Sequence, residues 1–142
     1  MSDLREILFR GKTTEGKWVV GLPTRKHPLD KEINRIQLLD DYYENDITMF
    51  FCVKDVLPET VGQYTGLTDK NGKKIFEGDI LEFSDRFVVV VWHTHLGCWD
   101  SNFLKFTNTE NGRDDMSPLN WGYKSKVIGN IHDNPELLKG GE

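Results

Sequence analysis

Two histidines and a cysteine lie close together in a pattern that could bind a transition metal. One residue separates His93 from His95, and Cys98 follows shortly after. Alternate side chains of a strand point to the same face, so both imidazoles would be available to one ion. A zinc site needs a third or fourth ligand, and strand histidines near a sheet edge are often only solvated. We therefore predict no metal site. If the protein does bind a metal, His93, His95 and Cys98 are the candidate ligands.

Three carboxylates, Asp69, Glu77 and Asp79, surround a glycine-rich turn. Paired carboxylates act as general acids and bases or hold magnesium, whereas aspartate is also favoured in turns because it hydrogen-bonds nearby backbone. The sequence contains no phosphate-binding glycine loop, zinc-protease motif or Ser/His/Asp ordering. We therefore predict no catalytic residue, no cofactor and no enzymatic activity. A metal-dependent enzyme acting on nucleotides is the alternative for these carboxylates.

Basic and aromatic residues form the third candidate. Arg10 and Lys12 give the N-terminal segment a small basic edge, which would contact nucleic acid if the protein binds it, although such charges usually form only a solvated face. Some aromatic residues must line the core, and others could anchor peptides or single-stranded nucleic acid. The tryptophans and tyrosines are Trp18, Trp92, Trp99, Trp121, Tyr42, Tyr43, Tyr64 and Tyr123.

Composition limits the classes of protein to which this chain can belong. Its 142 residues suit one compact domain, and 37% hydrophobic with 11% aromatic residues are enough for a core. The net charge of -5 disfavours a general electrostatic grip on nucleic acid but allows a local basic patch. The longest apolar block, Phe87–Trp92, is far too short to span a membrane. With no signal peptide pattern, we expect a reduced, cytoplasmic protein with Cys52 and Cys98 as free, partly buried thiols.

The elements that position these residues are mainly short antiparallel strands. The chain has no alanine, while Val, Ile, Thr and aromatic residues are abundant and glycines punctuate the sequence throughout. Pro58–Leu67 shows little periodicity, and Asn71-Gly72 predicts a tight turn. Ser117 is predicted to cap a short helical turn that begins at Pro118, and a brief helix follows from Pro135. The predicted strands are Leu4–Arg10 and Lys17–Leu22, Arg35–Leu39 and Ile47–Val53, Ile80–Phe83, Phe87–His95 and Trp99–Phe106, and Lys126–Ile131.

Three segments resemble one family, the YopX-like proteins of bacteriophages and prophages. Arg5–Lys12 with Trp18–Gly21 is the first, Glu59–Ile80 is the most specific, and Val127–Leu138 is the third. Glycines in the central segment permit tight backbone paths, while interleaved apolar residues supply core contacts, so we interpret it as a folding motif.

The resemblance implies a mainly β fold that includes an SH3-like barrel, and a phage or prophage origin, but no established activity. We expect residues 1–56 to form an N-terminal β-hairpin region. Residues 57–142 would form the SH3-like barrel region with a short C-terminal helix, the whole being one compact unit. The leading functional hypothesis is a non-enzymatic module that binds a host or phage protein, with a homo-oligomer also open. A nucleic-acid-binding protein in phage gene expression or replication is the alternative.

Overall fold

A computed structural model of the chain describes residues 6–38, 53–83, 86–106 and 117–138. The chain divides into two compact units, Met1–Tyr64 and Thr65–Glu142. The boundary expected between residues 56 and 57 stays a prediction. Within the described ranges, no helix combines the length and apolar character that crossing a membrane requires.

The described residues form two antiparallel sheets, three short 3-10 helices and one α-helical turn. The strands are β1 (Phe9–Lys12), β2 (Trp18–Thr24), β3 (Arg35–Leu38), β4 (Val53–Asp55), β5 (Gly62–Thr68), β6 (Lys74–Phe76), β7 (Asp79–Phe83), β8 (Arg86–His93), β9 (Cys98–Phe106) and β10 (Lys126–Asn130). The helical segments are the 3-10 helices Pro58–Thr60, Pro118–Asn120 and Pro135–Leu138, and the α-helix α1 (Trp121–Lys124).

Strands β1 to β4 of the first unit belong to a six-stranded sheet in the order β4-β3-β2-β1-β5-β6. The predicted N-terminal hairpin is present, but β1 covers Phe9–Lys12 whereas the sequence predicted Leu4–Arg10. The turn at Thr13–Gly16 sets this register, because Lys12 lies opposite Trp18 and Phe9 opposite Gly21. The second predicted hairpin is represented by β3 and β4, which pair antiparallel. Its turn and residues 47–52 of the strand predicted at Ile47–Val53 lie outside the described residues.

The core of the first unit is small, and beside it the backbones of β2 and β3 approach each other closely. Val19, Ile36 and Val56 are buried together. Gly21 lies so close to the neighbouring strand that a Cβ atom there would fall on the Gln37 carbonyl, 2.8 Å from its carbon. A side chain would therefore separate β2 from β3.

Strand β5 corrects the interpretation of Pro58–Leu67 as a segment of little periodicity. Gly62–Thr68 is extended, pairs with β1 through Gly62 and Gln63, and runs on to pair with β6. Gly62 and Gly66 interrupt the alternation of apolar and polar residues that would have marked a strand. Gly66 adopts φ 87°, which only glycine accepts readily.

The second unit contains a four-stranded sheet in the order β10-β7-β8-β9. The predicted meander of three strands is confirmed as β7, β8 and β9. The predicted turn at Asn71-Gly72 is also present, between β5 and β6, with Gly72 at φ 81°.

Trp121 organises the core of the second unit. Its side chain is fully buried with Phe83, Leu81 and Val90. The short helical turn predicted to begin at Pro118 is present, and α1, which was not predicted, follows it directly. Ser117 occupies the N-cap position, but its side chain makes no capping hydrogen bond, so that part of the prediction is wrong. The Trp121 indole, buried by tertiary packing, holds this segment in place.

The prediction of a mainly β fold with short helical turns is confirmed. Among the described residues, the strands form two open antiparallel sheets and no closed barrel. The SH3-like barrel stays a prediction.

Candidate interaction surface

Asp69 is a structural carboxylate that connects two distant parts of the second unit. It is 3% exposed, and its Oδ1 accepts hydrogen bonds from the backbone N–H groups of Asn71 (2.8 Å) and Lys73 (2.9 Å). Its Oδ2 accepts the N–H of Val127 at 2.9 Å, across 58 residues of sequence. The same side chain therefore shapes the turn before β6 and fixes β10 beside it.

The protonation of Asp69 follows from this environment. Burial raises the pKa of the carboxyl, but the N–H donors of Val127, Lys73 and Asn71, together with the Lys73 ammonium, hold the pKa below its ordinary value of 3.8. The group is therefore ionised at neutral pH. An ionised carboxylate whose oxygens accept three backbone donors suits a structural role better than a catalytic one.

Asp69, Glu77 and Asp79, the three sequence-predicted carboxylates, are not grouped so that they could hold a metal ion. Asp79 is 1% exposed, and its Oδ2 accepts the backbone N–H of Phe76 at 2.8 Å. Glu77 lies between them in sequence and is half-buried. In the part of the chain that the structure describes, no group of three or more His, Cys, Asp or Glu side chains is arranged to hold a metal ion.

The C-terminal motif also has a structural explanation. The Oδ1 atom of Asn130 accepts the N–H groups of His132 (3.0 Å) and Asp133 (2.9 Å), and its Nδ2 donates to Asp133 Oδ2 at 3.2 Å. Asn134 Oδ1 accepts the N–H of Asn130 at 3.2 Å. Its side chain occupies the space that a Cβ atom on Gly129 would need. These side chains close the turn after β10.

Replacing Asn130 with alanine is expected to lower the free energy of unfolding by about 2 kcal/mol, because two backbone N–H groups lose their acceptor. Urea denaturation of the full chain measures the change. Asn102→Ala is the matched control, since Asn102 is exposed on β9. Equal effects of the two substitutions would contradict the structural role of Asn130.

The metal-ligand candidates lie at one end of the β8–β9 hairpin. His93 is directly opposite Cys98, and the rings of His93 and His95 have centroids 6.3 Å apart. His93 Nδ1 accepts the N–H of Leu96 at 3.3 Å, so this ring nitrogen helps to shape the turn. Cys98 is a free thiol, but it is exposed, so the prediction that it is partly buried is wrong. His93 thus lies beside both other candidates in the hairpin, but the three side chains, all within the described residues, are not grouped so that they could hold a metal ion.

Arg10 and Lys12 lie on the same face of β1 and both approach Trp18 of β2. The Arg10 Cζ atom is 4.8 Å from the centroid of the indole ring, and the Lys12 Nζ atom is 6.0 Å from it. Both distances fall within the range of cation–π attraction. The structure thus joins the two predicted basic residues to one aromatic residue.

An apolar strip lies along the β8–β9 hairpin, on the same face of the sheet that packs against the core. Trp92 is opposite Trp99, and their rings make an edge-to-face contact with centroids 5.0 Å apart. Trp99 packs against the core, whereas Trp92 is 46% exposed. Phe103 lies on the same face of β9 and is 49% exposed, and Leu96 is exposed at the hairpin turn. We call Trp92, Trp99 and Phe103 the aromatic strip.

The sequence named two members of the aromatic strip but not Phe103. The alternation of Trp99, Ser101 and Phe103 places these residues on one face of β9, and this spacing could have revealed the strip. The solvent exposure of these side chains could not be predicted from the spacing, because it depends on β9 being an edge strand. Among the described strands, β9 pairs only with β8.

Comparison with known proteins agrees with the three motifs. A family model described as "YopX protein" matches residues 8–139. The crystal structure of protein EF1440 from Enterococcus faecalis is similar, with a TM-score of 0.58 and 25% sequence identity, over 95% of this chain and 99% of that one. No curated protein matches the chain. The resemblance found in the sequence is confirmed, and the chain belongs to the YopX family.

Proposed function

We propose that this chain is a non-enzymatic binding module, a phage or prophage accessory protein that acts in the bacterial cytoplasm by binding a protein partner. The observation that carries the proposal is the partly exposed aromatic strip on β8 and on β9, the last described strand of its sheet. The resemblance to phage YopX proteins supports the proposed origin, the cytoplasmic location and an SH3-like barrel within residues 57–142.

The aromatic strip has the chemistry of a protein-binding surface. Tryptophan and phenylalanine contribute large apolar area, and they are enriched where a few residues supply most of the binding free energy. Trp92 has nearly half of its surface exposed, yet its ring is oriented by the contact with Trp99. Because the Trp92 indole is already held in position, it loses little side-chain entropy when a partner covers it.

The occupant that fits this surface is an extended segment of another protein. Among the described strands β9 is the last of its sheet, and an extended segment can pair with the backbone N–H and C=O groups of such an edge as an added strand. Alternate side chains of that segment would then contact Trp99 and Phe103. The net charge of -5 favours a segment that carries basic residues beside its apolar ones.

Site-specific photo-crosslinking tests this assignment in the host cell. A benzophenone amino acid placed at position 103 should crosslink to a distinct protein, whereas the same group at Tyr123 should not. Tyr123 is a matched control because it is an aromatic residue of the same unit and is 81% exposed. Mass spectrometry of the crosslinked peptide distinguishes an extended partner segment from a second copy of this chain. A self-crosslink would replace the proposed partner with a homo-oligomer.

Binding of the identified partner gives the energetic test. Trp92→Ser is expected to weaken the affinity about 30-fold, corresponding to about 2 kcal/mol for the loss of a central aromatic residue. Tyr123→Ser is expected to leave the affinity unchanged. Calorimetry with purified proteins makes the comparison, with circular dichroism confirming that both variants fold. Equal affinity of wild type and Trp92→Ser would contradict the proposal.

A further inference from the structure

The first unit carries a second surface, which the proposed protein-binding function does not use. Arg10 and Lys12 both lie within cation–π distance of Trp18. The strand register places Val20 and Leu22 on the same face, 41% and 38% exposed. We call Arg10, Lys12, Trp18, Val20 and Leu22 the basic-aromatic face.

The charge of this sheet is opposite to that of the whole chain. The described strands of the first unit contain four cationic residues and one carboxylate, although the chain has a net charge of -5. The carboxylate is Asp55 on β4, held by Arg35 at 2.8 Å and Lys26 at 3.3 Å. Strand β4 is three strands from β1, which is about 14 Å at normal strand spacing. Asp55 is therefore screened from the cations of β1 at physiological salt.

We propose that the basic-aromatic face binds single-stranded nucleic acid. Arginine and lysine bind phosphates, and a guanidinium held against an indole is oriented for a two-point contact. Aromatic and apolar side chains beside such cations contact the unstacked bases of a single strand, which a duplex keeps inside its stack. The pattern of cations, one indole and exposed aliphatic side chains thus matches a polyanion that also presents apolar rings.

Fluorescence anisotropy with the full chain tests the proposal. The probe is labelled oligothymidylate of about 15 nucleotides, a length that such a sheet face can cover. Lys12→Gln should reduce the slope of log affinity against log salt by about 0.7, which is about an eightfold loss of affinity near 50 mM salt. Lys54→Gln is the matched control, with the same charge change on the opposite face of edge strand β4. It should behave as wild type.

Several results would overturn the proposal. Absence of oligothymidylate binding near 50 mM salt would do so, as would equal effects of Lys12→Gln and Lys54→Gln. Equal affinity for a duplex of the same length would remove the preference for single strands. A further outcome is that the protein binds polyglutamate and not the oligonucleotide, and that Lys12→Gln abolishes the polyglutamate binding. This result would reassign the face to an acidic protein segment. Trp92→Ser is expected to leave oligonucleotide binding unchanged, so this test is independent of the aromatic strip.

Discussion

Asp69→Ala is expected to lower the free energy of unfolding by about 3 kcal/mol, among the largest effects of any single substitution in the second unit. The substitution removes the acceptor of three backbone N–H groups, and that of Val127 lies within a strand. Lys73 and Asn71 are exposed, so water can satisfy their N–H groups in part. Most of the loss therefore comes from the bond to Val127. Urea denaturation followed by circular dichroism measures it.

Asp69→Asn separates the local bonds from the distant one. An asparagine can keep its Oδ1 on the turn N–H groups of Asn71 and Lys73, but its amide donor would face the N–H of Val127. The free energy of unfolding should fall by less than in Asp69→Ala and still measurably, by about 1.5 kcal/mol. If Asp69→Asn were as stable as wild type at neutral pH, the bond between Asp69 and Val127 would contribute nothing.

The stability gap between wild type and Asp69→Asn should depend on pH in a defined direction. The folded-state pKa of Asp69 is below the ordinary value of 3.8, so the unfolded chain takes up the proton first as pH falls. The stabilisation is thus complete well above 3.8 and is lost as pH falls toward and through the folded-state value. The gap should be constant near neutrality and should narrow in acid. A gap that widened in acid would contradict the assignment.

Gly21→Ala is expected to be the most damaging small substitution in the first unit. The added methyl group would meet the Gln37 backbone, 2.8 Å from the carbonyl carbon, and lie 3.2 Å from Cγ2 of Ile36. Backbone cannot move aside as a flexible side chain can, so β2 and β3 must separate at the buried Ile36. We expect a loss of about 3 kcal/mol in the free energy of unfolding. Faster amide exchange in β3 would show where the damage lies.

Gly122→Ala provides the matched control for that substitution. A Cβ atom at Gly122 would make only an ordinary contact, 3.6 Å from the Thr68 carbonyl oxygen. Because alanine restricts the unfolded chain and favours helix, this change in α1 should be neutral or stabilise by about 0.5 kcal/mol. Similar losses in Gly21→Ala and Gly122→Ala would show that the close approach of β2 and β3 does not determine the cost.

Local pattern was enough to predict the N-terminal hairpin, the turn at Asn71-Gly72 and the meander. Apolar strand residues on both sides of Thr13–Gly16 specify strands that reverse within a few residues, and Asn-Gly specifies a tight turn. Strand β5 was missed because glycines break its alternation, and its extended conformation depends on pairing with β1. Pairing between distant strands is a tertiary property that a local pattern does not contain.

The candidate sites show the same division between local and distant information. Arg10, Lys12 and Trp18 could be associated from sequence because a short turn separates their strands. The contact between Asp69 and Val127 could not, since it depends on the register of β10 against β7 and on the bulge between Val127 and Gly129. Exposure of the aromatic strip likewise depends on which strand ends the sheet.

Affinity purification from a host lysate, split into nuclease-treated and untreated halves, tests the central claim most directly. Wild type, Trp92→Ser and Tyr123→Ser are compared, and bound proteins are identified by mass spectrometry. We expect one protein partner that survives nuclease treatment, is retained by Tyr123→Ser and is lost by Trp92→Ser. A partner retained equally by Trp92→Ser, or lost from wild type on nuclease treatment, would contradict a protein-binding function for the aromatic strip.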